Sequence, residues 1–360
     1  METVPLFHKK YHSGPDLYPA DNNSLRESGF ADFHRSNLFI LISERKIIMK
    51  NNTNYTYEEF QTILAERVQA KLDEHITVNI TDVVKNNGIV LRGMTFTGQG
   101  ETISPTIYLE QFYEAYLSGC DWGEIVDHIV DTFHLGAKKE IFDVQSFLDF
   151  DKAKEKIVFK LINYEKNKKL LEQIPHRRFL DLAVVYYYLL SNEAVENATI
   201  LIYNNHLEIW GITPEELDEI AQKNTPLLLN AELRSITDVL TELLRQKEID
   251  TSFLNEEPGD DNSGMYVLSN RTKIFGAAVM LYSEVLKQFA ERKKTDLFIL
   301  PSSVHEVIII PKENGMEWKK LQEMVIEVNE TQVEDTEVLS DSVYCYSREK
   351  DELIPAWEVA

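Results

Sequence analysis

The sequence predicts an α+β protein, and three observations carry that reading. Apolar residues recur at helical spacing in some stretches and in short β-branched or alternating runs in others, within a chain of 360 residues that is 43% hydrophobic and 27% charged. Asn86-Asn87-Gly88 stands between two strand-like runs, and Asn-Gly favours the positive φ angles of a tight hairpin turn. The last third orders its elements strand, helix, strand, strand, helix, strand, which is the order of a ferredoxin-like unit. At roughly 150 residues per domain the length suggests two or three domains.

The N-terminal α+β region, residues 51–150, opens with an amphipathic helix from Tyr57 to Leu72, whose Phe60, Ile63, Leu64, Val68 and Leu72 share one face. Strand runs at Ile76–Ile80 and Val83-Val84 lead through the Asn-Gly turn to a return strand, Ile89 to Thr97. Gly98-Gln99-Gly100 turns again, and Ser104 to Leu109 completes a small antiparallel meander. Gln111 to Leu117 and Trp122 to Phe133 read as helices, the second striped by Trp122, Ile125, Val126, Ile129, Val130 and Phe133.

The middle region, 151–254, is mixed. Asp151 to Asn163 and Glu165 to Gln173 read as helices. Phe179 to Leu190 reads as a strand because Val184-Val185-Tyr186-Tyr187-Tyr188 is β-branched and aromatic, with Thr199 to Tyr203 as its partner. Thr213-Pro214-Glu215-Glu216 starts a helix: a capping threonine, proline at the first position, then acids in the first turn. Ala231 to Arg245 reads as another helix. Residues 255–263 are acidic and rich in breakers, and mark a linker. Beyond it, 264–350 holds strand Met265–Ser269, helix Lys273–Lys293, strands Asp296–Leu300 and Val304–Ile310, helix Glu317–Glu330 and strand Ser342–Tyr346. Val307 to Ile310 is apolar on both faces, as a central strand is, whereas Val343 and Cys345 alternate with Tyr344 and Tyr346 as on an outer strand with one covered face.

Charge limits the partners. With 37 basic and 60 acidic side chains the net charge is −23, which repels nucleic-acid phosphates and anionic lipid. The basic clusters, Lys138-Lys139, Lys166 to Lys169, His176 to Arg178 and Arg292 to Lys294, are short and read as solvated helix ends or turns. No apolar run approaches the ~20 residues of a spanning helix, and no signal-peptide pattern opens the chain. Cys120 and Cys345 alone cannot make a disulfide framework or a four-cysteine zinc site. The expected compartment is the cytoplasm. Residues 1–50 carry seven basic and six acidic groups, a different balance from the rest, and read as a disordered leader or an upstream extension of the reading frame, with translation starting at Met49.

Several stretches resemble an uncharacterised bacterial family, the domain of unknown function 5688. They are Val84-Lys85-Asn86-Asn87-Gly88, Ser104 to Leu109, Asp181-Leu182-Ala183-Val184, Trp210-Gly211 with Leu217, Met265 to Asn270, and Ile299 to Val307. The resemblance covers about residues 55–350 and leaves out the first fifty, in line with the late start. The C-terminal two-thirds is more faintly similar to domain of unknown function 1444. Neither resemblance supplies an activity, a ligand or a catalytic residue.

Candidate chemistry is sparse. Ser302-Ser303-Val304-His305-Glu306, at the turn between two apolar strands, offers hydroxyls and a base for acyl transfer, but no Gly-x-Ser-x-Gly elbow accompanies it, and a polar hairpin explains the same residues. Asp127, His128, Asp131 and His134 have metal-ligand spacing on one helix, yet they face away from its apolar stripe as a solvated face does. Asp260 to Gly264 hints at a calcium loop, with its glycine one place early and Arg271 where the closing glutamate belongs. Met265 to Asn270 faintly matches the first strand of an RNA-recognition fold, but Val304 to Ile310 offers no phenylalanine, tyrosine or tryptophan to stack a base and no arginine or lysine. Tyr186 and Tyr188 share a strand face and are either cross-strand packing against Ile200 and Ile202 or a partner-binding patch. No cofactor and no metal are expected. The function expected is a non-catalytic cytoplasmic protein that binds a protein or small molecule. The alternative is an enzyme of unknown class, such as a hydrolase, acting near Ser302, Ser303, His305 and Glu306.

Overall fold

The computed structural model describes residues 54–98, 106–137, 144–192, 195–246, 264–313 and 315–359. The leader and Met49, the 255–263 linker and nearly all of the calcium-like run lie outside the described residues. In the N-terminal region α1 (Tyr57–Gln69) starts at Thr56, whose hydroxyl accepts from Glu59 N while the Glu59 carboxylate accepts from Thr56 N. Strands β1 (Thr77–Val84) and β2 (Val90–Thr97) form an antiparallel hairpin. At its tip Asn87 (φ 62°) and Gly88 (φ 69°) are both left-handed, as the two-residue turn expected from Asn-Gly demands. β3 (Ile107–Tyr108) joins β2, and α2 (Glu110–Leu117) and α3 (Trp122–Ala137) follow. Phe60, Met94, Phe96, Phe112, Ile125 and Phe133 make a core of their own.

The middle region departs from expectation. After α4 (Val144–Leu148) and α5 (Phe150–Ala153), the stretch read as helix to Asn163 is strand β4 (Ile157–Asn163). Only α6 (Lys168–Leu171) is helical in the next stretch. The cause lies in the residues: Ile157-Val158-Phe159 and Leu161-Ile162 are β-branched or bulky, and every β4 residue except Lys160 is buried, which suits a strand covered on both faces. β6 (Leu182–Asn192) pairs antiparallel with β4 on one edge and with β5 (His176–Phe179) and β7 (Val195–Leu201) on the other. α7 (Asn204–Trp210) leads to α8 (Pro214–Leu228), which begins with the expected Thr213 cap and Pro214.

The helix expected over Ala231 to Arg245 is a strand and then a helix. β8 (Ala231–Ser235) pairs with β9 (Tyr266–Asn270), and α9 (Ile236–Gln246) begins where Ser235 Oγ accepts from Asp238 N at 3.0 Å. A 3-10 segment, Gly276–Leu281, and α10 (Val285–Lys293) replace the single helix expected from Lys273, because Lys273, Phe275 and Glu284 all take positive φ. Then come β10 (Leu297–Leu300), β11 (Val307–Pro311), α11 (Trp318–Thr331), β12 (Tyr344–Ser347) and β13 (Glu352–Pro355).

These strands form one sheet in the order β13-β12-β10-β11-β9-β8. β9 and β10 run parallel with β11 between them, so the split βαβ crossover is present. The pairing is nonetheless not that of a ferredoxin-like unit, in which the first strand would lie beside the last. Here β10 takes the place beside β12, and β8 and β13 extend the sheet at either end. β12 is therefore interior, and Tyr344 and Cys345 are both fully buried instead of leaving one face open. β11 is central, as its apolar faces require.

A single buried cluster joins the second and third sheets. It includes Val184, Tyr186 and Tyr188 of β6 with Leu268, Ile299, Ile309 and Tyr344, so residues 151–254 and 264–350 share a core across the linker. Tyr186 and Tyr188 are 2% and 4% exposed, which removes them as a partner-binding patch. Tyr188 lies opposite Ile200, and the Tyr186 hydroxyl donates to Asp218 at 2.8 Å. The other face of the six-stranded sheet is covered by α11 through Phe298, Leu300, Ile308 and Val325.

Asp181 pins the two sheets at one end. Its carboxylate accepts from Ser340 Oγ at 2.6 Å, from Ser342 Oγ at 3.1 Å and from the Tyr344 hydroxyl. Burial, then the Asp181 charge, pushes the Tyr344 phenol far above its usual range. Asp181→Ala leaves a buried hydroxyl without its acceptor, so a loss of about 2 kcal/mol is expected. Urea unfolding reads it as a lower midpoint with an unchanged slope; an unmoved midpoint would mean the pin carries no stability.

Candidate functional site

The Ser302–Glu306 stretch is a wall, not a tight turn. From Pro301 to Val304 the chain runs antiparallel beside the segment that leads into β12: Val304 N donates to Glu337 O at 2.9 Å, Leu339 N to Ser302 O at 2.8 Å and Ser340 N to Pro301 O at 3.0 Å. This pairing turns the serines inward, and Ser302 and Ser303 are 2% and 3% exposed. Ser303 Oγ accepts from the His305 amide at 3.1 Å, the local bond by which serine hydroxyls stabilise turns. The His305 ring looks elsewhere. Its Nδ1 lies 3.2 Å from Lys273 O and 3.4 Å from Phe275 N, so it donates to the first when protonated and accepts from the second when not. Its Nε2 is 3.5 Å from Glu337 Oε1. Sequence reasoning missed Glu337, 32 residues downstream. Glu306 lines a cavity of about 60 Å³ with Glu232, Arg234, Ser269 and Lys273, room for water-sized guests only.

The loop facing His305 is held under constraint. Lys273 (φ 57°) and Phe275 (φ 50°) are left-handed without being glycine, a conformation that persists only where surroundings enforce it. The enforcing group is Asn270, fully buried: its Oδ1 accepts from Thr272 Oγ1 at 2.8 Å and Ile274 N at 3.2 Å, and its Nδ2 donates to Ile274 O at 2.7 Å. The loop delivers the Phe275 ring to His305, with centroids 5.7 Å apart and planes 13° apart.

Phe275 also meets Lys160, whose Nζ lies 4.0 Å from the ring centre. Lys160 interrupts an otherwise apolar face of the β4–β6 sheet, between Val158 with Tyr187 and Ile162 with Val185. Burial, and then the charge of Lys85, lower its pKa to about 8. Lys85 reaches in from the base of the hairpin tip and donates to Tyr108 OH at 2.8 Å. Among the described residues neither lysine has a carboxylate partner, although acids exceed bases by 23 in the chain. Among the described residues the buried hydroxyl of Tyr187, which is 1% exposed, has no partner, and neither has Asn86 Oδ1, next in the chain to Lys85. The tip itself is docked: Asn87 Nδ2 donates to Asp335 O and Val338 O, and Asn87 N to Asn167 Oδ1 at 2.9 Å. The segment 335–340 thus backs the hairpin tip, the serine wall and His305 together.

The metal-spaced residues of α3 are not gathered. Asp127 pairs with Lys71, His128 tilts against Phe112, and Asp131 and His134 are exposed. Among the described residues no group of three or more metal-ligating side chains is assembled. A cavity of about 440 Å³ lies on the far face of the six-stranded sheet, at the start of α11. No helix among the described residues is long and apolar enough to cross a membrane.

The family model described as a family of unknown function, DUF5688, matches residues 57–348, most of the chain. The chain belongs to this family. The match spans every residue of the Lys85–Lys160 seam and of the Ser302–Glu306 wall in this DUF5688 chain, and stops short of β13. No curated protein matches the chain, and no solved structure does.

Proposed function

We propose that this protein is a non-catalytic binding protein that takes a small anionic ligand at the seam between the β1–β2 hairpin and β4. The observation that carries the reading is Lys160: a half-buried lysine with a lowered proton affinity, beside a second lysine and the ring of Tyr187, whose buried hydroxyl has no partner among the described residues. A cation kept in this setting at a cost in stability is a group for an anion to neutralise. The reading includes a cytoplasmic setting, supported by two buried free thiols, Cys120 and Cys345, and partners other than nucleic acid, supported by the charge of −23.

Melting the full chain with inorganic phosphate, citrate or uncharged glycerol tests the seat. The two anions should raise the Tm, glycerol at the same low concentration should not, and Lys160→Met and Lys85→Met should each remove the rise. A rise that survives both substitutions would move the seat elsewhere. The hydrolase alternative makes its own prediction. A fluorophosphonate probe needs an accessible, activated serine. With Ser302 and Ser303 buried, and the Ser303 hydroxyl engaged by the turn, neither should be labelled in the native protein. Stoichiometric labelling of either, mapped by peptide mass, would reinstate the enzyme.

A further inference from the structure

The cavity at the start of α11 is separate from the lysine seam and lies on the opposite face of the six-stranded sheet from the shared core. Its volume, about 440 Å³, falls within the range of small-molecule sites. Its walls are apolar: Phe298 of β10, Met316 and Trp318 at the start of α11, and Ala356 and Val359 after β13. Two cations stand in the wall, Lys312 at the end of β11 and Lys319 in the first turn of α11. Among the described residues neither is ion-paired, whereas the acid of the wall, Glu317, lies 3.4 Å from Lys320. The first turn of α11, which contributes Trp318 and Lys319 to the wall, has no side-chain cap, and the positive end of a helix adds to the favourable field for an anion. An apolar chamber with cations in its wall, in a strongly acidic protein, is complementary to one chemistry. We propose that it binds a small amphipathic anion, an apolar chain or ring ending in a carboxylate, with the apolar part against Phe298 and Trp318 and the carboxylate at Lys312 and Lys319.

Octanoate is a suitable probe, titrated into the full chain below its micellar concentration while tryptophan emission is followed. A saturable change is expected, lost in Trp318→Phe. Octanol should bind about tenfold more weakly and octylammonium more weakly still. Lys312→Ala combined with Lys319→Ala should lower octanoate affinity to that of octanol and leave octanol unchanged; Lys319 is exposed and Lys312 half-buried, and an unchanged urea midpoint confirms that the double variant folds. Ala356→Phe, which fills the chamber, should abolish binding of both. Equal affinity for octanoate and octanol, or octanoate binding indifferent to the two lysines, would overturn the proposal. Neither result bears on phosphate binding at Lys160.

Discussion

Gly276→Ala is expected to destabilise the protein by about 3 kcal/mol or more, the upper end of what overpacking costs. A Cβ at this position would overlap Ser269 Oγ and His305 O and lie 2.8 Å from Asn270 N. Two of these three obstacles are backbone and cannot swing away. The third, Ser269 Oγ, donates to His305 O at 2.7 Å, so moving it breaks a bond inside the same contact. Strand β9, the constrained loop and the His305 segment therefore meet at a point where only glycine fits. Urea unfolding gives the measurement, and Ser269→Ala in the same chain should recover only part of the loss. A cost under about 1 kcal/mol would show that the loop can retreat. The local effect should be as telling: Phe275 is the preceding residue, and its displacement should loosen the contact with Lys160.

What local chemistry controls was legible in the residues. The Thr213-Pro214 helix start and the Asn87-Gly88 turn are each decided within four residues, and each stands where expected. What depends on partners distant in the chain was not. Ala231-Glu232-Leu233-Arg234 is compatible with a helix, and becomes a strand because β9 offers an edge to pair with. Nothing within Tyr266–Asn270 states that β11 and β8 will flank it, so the exchange of β9 and β10 relative to a ferredoxin-like order was invisible. The same holds for the site. Ser302, Ser303 and His305 could be named from sequence, but their burial follows from pairing with residues 337–340. Lys160 left a signal that went unused: a lone charge inside Ile157-Val158-Phe159-Lys160-Leu161-Ile162 is ordinary on a helix and costly in a strand buried on both faces, and the helical reading hid it.

Lys160→Met should stabilise the protein, by about 2 kcal/mol at pH 7, even as it removes the proposed anion seat. The side chains are alike in length and the methionine has no charge to desolvate, so the exchange follows the pattern of buried ions replaced by apolar groups. The magnitude allows for the solvent that still reaches the lysine. The sign with pH follows from the proton balance. Folding lowers this pKa from the ordinary 10.5 to about 8. Below pH 8 both folded and unfolded chains carry the charge, and the folded chain bears the whole cost. Between 8 and 10.5 the unfolded chain holds the extra proton, so wild-type stability rises with pH relative to the variant. The gap between the two should thus be widest below pH 8 and close by about pH 10.5. The groups set around the ammonium are Lys85 and Tyr187, with His305 and Glu337 in the wall reached through Phe275. Lys85→Met should narrow the same gap, because it removes the second cause of the shift. Urea midpoints for the three proteins at pH 7 and pH 10 decide the matter. A Lys160→Met chain less stable than wild type at pH 7 would mean that the lysine is held by a favourable contact, and the case for a waiting cation would fall with it.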